Sequence, residues 1–328
     1  MMKALWTLLF AAWYCFVPEA VHAQSSGVKY PTKPMRMLVG YTTGSSTDIV
    51  ARIVANGVSA RIGQQVVVEN RPGGSATIAA NLTAKAAPDG YTMTLGTPGA
   101  HATAPYAFQN LPYDTIKDFA PVALVGYAYF ALIVAPQIGV KTVSELVALA
   151  KSRPGQLNYA SVGEGSQPHM GAVLLGEMTG TQFTHIPYKG GAQSILDLAA
   201  GRVQFMFSAG IASAQGLQRD GKVRIVAVSG PRLPTIPDVP SMSETYPDYH
   251  LYLWYAVFMP AGTRTEIVAR MNREIGAAVR DPAIRKLLAD ASVTPQTMTP
   301  EELGALMRKD AETFRKIVLK AGIKPQPL

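Results

Sequence analysis

Residues 35–48 read MRMLVGYTTGSSTD, and this stretch decides the fold. Its first half, Met35 to Tyr41, is a near-continuous apolar run, which is typical of a strand buried in a parallel sheet. A polar loop follows, and apolar residues then recur at helical spacing until Gly63, at positions 49, 50, 53, 54, 58 and 62. A strand, a short polar loop and an amphipathic helix in this order predict the first unit of an α/β fold.

The same alternation continues along the chain. It predicts further strands at 66–68, 91–95, 157–162, 183–187, 203–207, 223–228 and 251–258. It predicts helices at 76–87, 167–178, 192–200, 264–291 (broken near Asp281-Pro282) and 300–321. We therefore expect an α/β protein with two lobes, each a mainly parallel sheet covered by helices.

Breaks in the pattern near Val125 and Gly230 suggest how the lobes are divided. Residues 24–125 and 232–328 are expected to form the first lobe, and residues 126–231 a second lobe inserted into it. The chain then crosses twice between the lobes, which suits a hinge with a ligand cleft.

The N-terminus has the pattern of a cleavable signal peptide. Lys3 precedes an apolar run from Ala4 to Val17, and Val21-His22-Ala23 resembles a cleavage site. As a helix the run would be ~21 Å long, too short for a hydrocarbon core of ~30 Å. We expect residues 1–23 to be removed and the mature protein to be exported. The single cysteine, Cys15, leaves with them, so neither disulfides nor thiol chemistry are expected.

Composition narrows the class of function. The 328 residues are 48% hydrophobic and 16% charged, which predicts a packed core. The net charge is +8, but the basic residues are scattered rather than clustered, which argues against nucleic-acid binding. A diffuse positive field suits a small anionic ligand. An ordinary basic exported protein would carry the same field.

The first loop, residues 41–48, is the leading candidate for a binding site. Ser45 and Asp48 have the spacing of a capping box. Free N–H groups at the helix start, together with the helix dipole, form an anion site, and Gly44 allows close approach of the backbone. The alternative is a well-capped helix and nothing more. The candidate residues are Tyr41, Thr42, Thr43, Gly44, Ser45, Ser46, Thr47 and Asp48, the last as a capping group.

The second loop, residues 161–169, again joins a predicted strand to a predicted helix. Ser166 is a plausible N-cap, Pro168 suits the first turn, and His169 leans back toward the loop. Both loops are expected to face one cleft at the carboxyl ends of the strands. The candidate residues here are Ser161, Gly163, Ser166 and His169, joined by Thr97, His101 and Ser208 at other strand exits.

Several kinds of chemistry lack support in the sequence. There is no G-x-S-x-G elbow, no phosphate-binding glycine motif, and no histidine spacing typical of zinc. Neither a metal nor another cofactor is expected. An enzyme using Ser166 and His169 as a reactive pair is the runner-up, although no orienting acid lies nearby in sequence.

Short motifs in order along the chain resemble the tripartite tricarboxylate transporter receptors, also called Bug proteins. The matching segments are YPTKPMR (30–36), TDIVAR (47–52), VVENRPGG (67–74), PDGYT (88–92), residues 163–169, HIPYKGG (185–191) and DVPS (238–241).

This resemblance implies a two-lobed, hinged periplasmic binding protein without catalytic activity. It implies a small carboxylate ligand, such as a dicarboxylate or an aromatic acid, bound at the first loop and completed by the second. The implied partner is a two-component membrane permease, and the protein is expected to be a monomer. A ligand sensor that docks on a membrane kinase is the third alternative.

Two positions depart from the family pattern. Thr43-Gly44-Ser45 replaces a Pro-Gly-Gly sequence, which makes the loop richer in hydroxyls. Ser208 stands where the family often has an acidic residue. Loss of that charge suits a ligand without an amino group, or one with a second carboxylate.

Overall fold

Two β-sheets with helices packed around them make up the computed structural model, which describes residues 30–320 and 324–327. Pro31–Leu328 form one compact unit. The predicted signal peptide, residues 1–23, lies outside the described residues. Within the described part of the chain, every helix is too short or too polar to cross a bilayer.

The described residues form eleven strands: β1 (Met35–Val39), β2 (Val66–Asn70), β3 (Thr92–Gly96), β4 (Phe119–Ala128), β5 (Ala131–Val134), β6 (Asn158–Ser161), β7 (Thr184–Pro187), β8 (Phe205–Ser208), β9 (Arg224–Val228), β10 (Leu253–Pro260) and β11 (Val293–Pro295). The helices are α1 (Ser46–Ile62), α2 (Thr77–Ala84), α3 (Ala104–Ala107), α4 (Val143–Ser152), α5 (Gln167–Thr179), α6 (Gly191–Ala199), α7 (Ile211–Arg219), α8 (Thr265–Arg280), α9 (Pro282–Asp290) and α10 (Pro300–Lys320).

Helix ends follow the local signals in the sequence. Gly63 and Gly180 adopt left-handed conformations immediately after α1 and α5, a conformation that glycine reaches at little cost. The long C-terminal pattern is broken at Asp281, as expected. The Asp281 side chain accepts hydrogen bonds from the N–H groups of Ala283 and Ile284 and so caps α9.

The first sheet has the strand order β11-β4-β10-β3-β1-β2, and the second has the order β7-β6-β8-β5-β9. In the first, β1 is parallel to β2 and β3, whereas β10 is antiparallel to β3 and β4, and β11 to β4. In the second, β6 is parallel to β7 and β8, whereas β5 is antiparallel to β8 and β9. The α/β fold with two sheets is confirmed.

Four strands of each sheet run in one direction, whereas β10 and β11 of the first sheet and β5 of the second run the opposite way. The chain passes directly from β4 of one sheet into β5 of the other, with only residues 129 and 130 between them. Strands placed in this way lack the crossover helix that normally connects parallel neighbours.

The two crossings between the sheets are hydrogen-bonded to each other. The Ser229 N–H donates to the Phe130 carbonyl, and the Phe130 N–H donates to Ser229 Oγ, both at 2.8 Å. The same hydroxyl donates to the Leu251 carbonyl at 2.8 Å. Since β4 continues to Ala128, the first crossing lies slightly beyond the break expected near Val125. The lobe boundaries given above remain a prediction.

Candidate functional site

A cavity of about 770 Å³ lies between the two sheets and is lined by residues from both. Its lining includes eight of the sequence-predicted site residues: Tyr41, Thr42, Gly44, Ser45, Ser46, Thr47, Thr97 and Ser208. The other predicted residues lie outside this lining, namely Thr43, Asp48, His101, Ser161, Gly163, Ser166 and His169.

Four helices begin at this cavity. The first two residues of each line it: Ser46-Thr47 of α1, Gln167-Pro168 of α5, Gly191-Ala192 of α6 and Ile211-Ala212 of α7. The first N–H groups of a helix have no partner within the helix, and the helix dipole places partial positive charge there. The described lining contains no lysine, arginine or histidine. The positive potential of the cavity therefore comes from backbone rather than from side chains.

Asp48 organises the first loop from inside. Its carboxylate accepts hydrogen bonds from the Gly44 N–H at 2.9 Å, from Asn70 Nδ2 at 2.9 Å and from Arg52 Nε at 3.1 Å. Burial favours a raised pKa for this carboxyl, but the bonds from Arg52, Gly44 and Asn70 outweigh it, and the pKa lies below its ordinary value. Asp48 is thus a charged anchor already fully engaged with the loop.

The remaining bonds of the first loop hold its backbone in position. Ser45 Oγ accepts from the Asp48 N–H at 3.2 Å, which is the first half of a capping box. The second half is absent from the described contacts, because the Asp48 side chain binds the Gly44 N–H instead of that of Ser45. Thr43 Oγ1 donates to Asn70 Oδ1 at 3.1 Å and so points away from the cavity.

The polar groups of the second loop bind one another behind the cavity. Ser166 Oγ donates to the Gly163 carbonyl at 2.6 Å, and His169 Nδ1 accepts from the Gly165 N–H at 3.0 Å. Ser161 is fully buried, and its Oγ lies 2.6 Å from His185 Nε2. The expected N-cap bond from Ser166 is not formed, although Ser166 occupies the N-cap position.

Glu164 joins two histidines behind the second loop. His185 Nδ1 lies 2.9 Å from one carboxylate oxygen of Glu164, and His169 Nδ1 lies 3.3 Å from the other. Burial, reinforced by the neighbouring His185, lowers the pKa of His169 to about 3. His169 is therefore neutral. Its Nδ1 accepts a hydrogen bond from the Gly165 N–H and does not form an ion pair with Glu164.

These three residues have the chemistry of metal ligands but not the geometry. The rings of His169 and His185 are stacked, with centroids 4.1 Å apart and planes 7° from parallel. Ring nitrogens donate their lone pairs in the ring plane, so parallel stacked rings cannot aim both Nδ1 atoms at one ion. His169 Nδ1 also already accepts a hydrogen bond. The cluster is a buried hydrogen-bond network.

Gln167 is the polar side chain that sequence reasoning missed. It is the first residue of α5, is 2% exposed and lines the cavity. Neither its amide oxygen nor its amide nitrogen has a partner in the described part of the chain. A buried amide without partners costs free energy, so a ligand that satisfies it gains accordingly. Its position at the start of a helix after a glycine loop was the available signal.

His101 was expected at the site but lies in the core. Its ring is fully buried, stacked on Phe258 at 4.2 Å and edge-to-face with Phe119 at 4.7 Å. Burial lowers its pKa to about 3, so the ring is neutral. Its near neighbour Thr97 does line the cavity, where its hydroxyl lies 3.3 Å from that of Tyr41.

Each loop also contacts a segment that follows a strand of the other sheet. Ser75 Oγ donates to the Glu164 carbonyl, and Ser75 and Ala76 both have positive φ, an uncommon conformation for residues other than glycine. A Cβ atom added at Gly190 would lie 2.6 Å from Thr42 Oγ1. Glycine at 190 thus permits the close approach between α6 and the first loop.

Solved structures similar to this chain are solute-binding proteins. The R. palustris protein Rpa4515, solved with adipate, is 34% identical to this chain. The alignment covers 90% of this chain and 99% of Rpa4515, with a TM-score of 0.85. The periplasmic binding protein BugD is 30% identical and covers 90% and 100%, with a TM-score of 0.84. MatC of Rhodopseudomonas palustris, solved with malate, is 30% identical and covers 88% and 100%, with a TM-score of 0.80.

The family model described as tripartite tricarboxylate transporter family receptor matches residues 50–323. The match begins within α1 and covers most of the described chain, including the second sheet, every strand of the first sheet except β1, and the cavity-lining residues from Ile53 onward. Members of this family are periplasmic solute-binding receptors, in agreement with the two-sheet fold around a central cavity. The chain belongs to the tripartite tricarboxylate transporter receptor family.

Proposed function

We propose that this protein captures a small carboxylate in the cavity between its sheets. The observation that carries the proposal is the convergence of four helix N-termini on a cavity whose described lining has no basic side chain. Backbone N–H groups at helix starts bind carboxylate oxygens well, because they are fixed in place and lack internal partners. Hydroxyls of Thr42, Ser46 and Thr47 and the amide of Gln167 complete the polar end.

The comparisons support a carboxylate on chemical grounds. Rpa4515 was solved with adipate and MatC with malate, and both share the fold of this chain over most of its length. We expect the ligand of the present protein to be a small carboxylate as well.

We further propose that the mature protein acts in the periplasm and hands its ligand to a two-component membrane permease. The signal-peptide pattern of residues 1–23 and the family membership support this assignment. Loss of the protein from its native host should then abolish high-affinity uptake of the ligand that it binds. Reintroduction of the gene should restore that uptake.

The cavity supports binding better than catalysis. The expected reactive pair is not formed among the described residues, since Ser166 and His169 each bind a neighbouring backbone group. Ser161, His185 and Glu164 do have the connectivity of a hydrolase triad. However, Ser161 is fully buried and outside the cavity lining, so a substrate in the cavity cannot reach its Oγ.

A thermal-shift comparison of carboxylates with their neutral amides tests the proposed function. Hexanoate and hexanamide, or benzoate and benzamide, have nearly equal shapes but differ in charge. A ligand at about 100 times its Kd adds ~2.7 kcal/mol to the free energy of unfolding. We expect the carboxylates of a broad screen to raise the unfolding temperature and the amides to leave it unchanged. Equal effects of acid and amide would contradict recognition of an anion.

A further inference from the structure

We infer that the preferred ligand is a monocarboxylate with an apolar body, bound through its carboxylate at the helix N-termini and through its body along one wall of the cavity. This inference rests on the carboxylate-binding function proposed above and narrows its substrate class. Serine at position 208 suits either a ligand without an amino group or one with a second carboxylate, and we infer the first kind, with a single carboxylate.

Large apolar side chains from three separate elements form this wall. Ile49 and Ile53 of α1, Ile195 and Leu196 of α6, and Leu287 of α9 all line the cavity. Ile49 is 44%, Leu196 58% and Leu287 47% exposed. Single exposed apolar residues are normal on a protein surface, but three from different helices around one cavity mark a binding surface.

The wall leads away from the carboxylate end. Ile49 and Ile53 are one turn apart on α1 and lie one and two turns beyond Ser46, the first residue of the helix. One further turn along, Gly57 packs against Ile284 of α9, where a Cβ atom would be 3.2 Å from Ile284 Cδ1. The cavity therefore extends along α1 from its N-terminus toward α9.

The part of the cavity beside the end of α9 is unfavourable for a second carboxylate. It is lined by Asp290, Ala291 and Ser292, at the C-terminus of α9, where unpaired carbonyls and the dipole place partial negative charge. Asp290 adds a full negative charge. Its carboxylate lies 2.7 Å from Lys286 Nζ, so this nearby cation is already paired, and Lys286 is outside the lining.

The lining thus offers two kinds of surface. Four helix N-termini, several hydroxyls and an unpartnered amide make up the polar part. Apolar side chains, the C-terminus of α9 and an aspartate make up the rest. A dicarboxylate would place its second charge against apolar groups or beside Asp290, and burying an unpaired charge is costly. A monocarboxylate places its apolar body there and buries exposed apolar surface.

Titration calorimetry of the mature protein with matched acids tests this inference. The monocarboxylates are butanoate, hexanoate, octanoate and benzoate, and their dicarboxylate partners are succinate, adipate, suberate and terephthalate. We expect affinity to rise about threefold to fourfold per methylene in the linear monocarboxylates. Each monocarboxylate should bind roughly tenfold or more tightly than its partner.

The possible failures of the two proposals are distinguishable. Dicarboxylates that bind as tightly as their partners, or a linear series without dependence on chain length, would overturn this inference while leaving carboxylate binding intact. If none of these acids bound, the proposed function itself would fall, together with the inference.

A matched pair of variants locates the wall. Ile49 and Ile78 are both isoleucines, both 44% exposed and both on helices, but only Ile49 lines the cavity. Ile49→Ser should lower octanoate affinity about fivefold and change butanoate affinity less than about twofold, whereas Ile78→Ser should change neither. Equal effects of the two substitutions would overturn the placement of the apolar body.

Asp290→Asn tests the part of the cavity beside the end of α9 separately. Removing the charge should improve suberate binding about threefold and leave octanoate binding unchanged. Unchanged suberate binding would contradict the role assigned to Asp290. Because Ile49, Ile78 and Asp290 are all exposed, these substitutions are not expected to unfold the protein, and thermal unfolding without ligand checks this point.

Discussion

The first and second loops are built alike but use their polar residues differently. Each follows a strand, contains glycine and hydroxyl residues, and opens a helix. In the first loop, Thr42, Ser46 and Thr47 line the cavity. In the second, Ser161, Ser166 and His169 bond to neighbours outside the lining, and the residues that line the cavity are Val162, Gln167 and Pro168.

The difference shows that position relative to the helix start, rather than polarity, decides which side chains face the ligand. At both helices the first two helical residues line the cavity, whatever their chemical type. The second loop has two left-handed glycines, Gly163 and Gly165, within three residues, whereas the first loop has Gly44 alone. These extra turns direct the polar side chains of the second loop away from the cavity.

The largest expected effect is the collapse of the first loop when its internal anchor is removed. Asp48→Ala leaves the Gly44 N–H, Asn70 and Arg52 without their shared acceptor. We expect the free energy of unfolding to fall by about 3 kcal/mol, with loss of ligand binding, as measured by urea denaturation and calorimetry. Glu312→Ala, which removes an exposed ion pair, is the control and should change stability far less. A loss at Asp48 no larger than this control would refute the anchoring role.

The next effect concerns His101, which resembles the second-loop residues because it was expected at the site and is buried instead. Its ordinary pKa of 6.5 falls to about 3 in the folded protein. The unfolded chain therefore binds more protons between these values, and stability is lost as the pH falls below 6.5. At pH 5 the expected loss is about 2 kcal/mol relative to pH 7.5. His169, whose pKa is also about 3, should contribute similarly.

Denaturation at several pH values with His101→Phe checks this account. The variant should remove about half of the acid-induced loss that the two buried histidines cause, whatever its stability at neutral pH. An unaltered slope in His101→Phe would mean that His101 does not stay neutral when folded.

A smaller effect separates neighbours within the second loop. Gln167→Leu keeps the size of the side chain but removes its unpartnered amide, so carboxylate affinity should fall roughly fivefold. Ser166→Ala removes a hydroxyl that donates to the Gly163 carbonyl outside the cavity lining, so affinity should change less than about twofold. Calorimetry with hexanoate measures both. A larger loss of affinity in Ser166→Ala than in Gln167→Leu would instead support Ser166 as the ligand-binding residue, as expected from the sequence.

The smallest effect on binding is expected at Ser161. Ser161→Ala breaks the contact with His185 and leaves the Gly163 N–H without its acceptor, so stability should fall by about 1 kcal/mol. Hexanoate affinity should stay within about twofold. Ester hydrolysis by the wild type that disappeared in this variant would instead favour the enzymatic alternative.

Most of the fold that surrounds the first loop could be predicted from local patterns. β1 is a continuous apolar run, α1 begins after the capping residue Ser45, glycines end α1 and α5, and Asp281 caps α9. The segments left without a prediction include the strands β4 and β5, which flank the first crossing, and the helices α4 and α7, which follow strands of the second sheet. Their directions depend on how the chain passes from one sheet to the other, a tertiary constraint that no local pattern contains.

The site was predictable only in part for a related reason. The sequence indicated which helix starts meet, and eight of the expected side chains do line the cavity. It could not indicate that His169 is hydrogen-bonded to the Gly165 N–H and Ser161 to His185, because those bonds depend on the folded backbone. The apolar wall was missed because Ile49, Leu196 and Leu287 lie far apart in sequence and converge only in the folded chain.

The central claim is that backbone N–H groups, rather than cations, hold the carboxylate. Ser46 is the first residue of α1, where proline is well tolerated, and Ser45 before it is extended, as proline requires. Ser46→Pro removes the hydroxyl and the N–H, whereas Ser46→Ala removes the hydroxyl alone. Hexanoate titration should show roughly tenfold weaker binding to Ser46→Pro than to Ser46→Ala, at similar stability. Equal affinities of the two variants would contradict the claim.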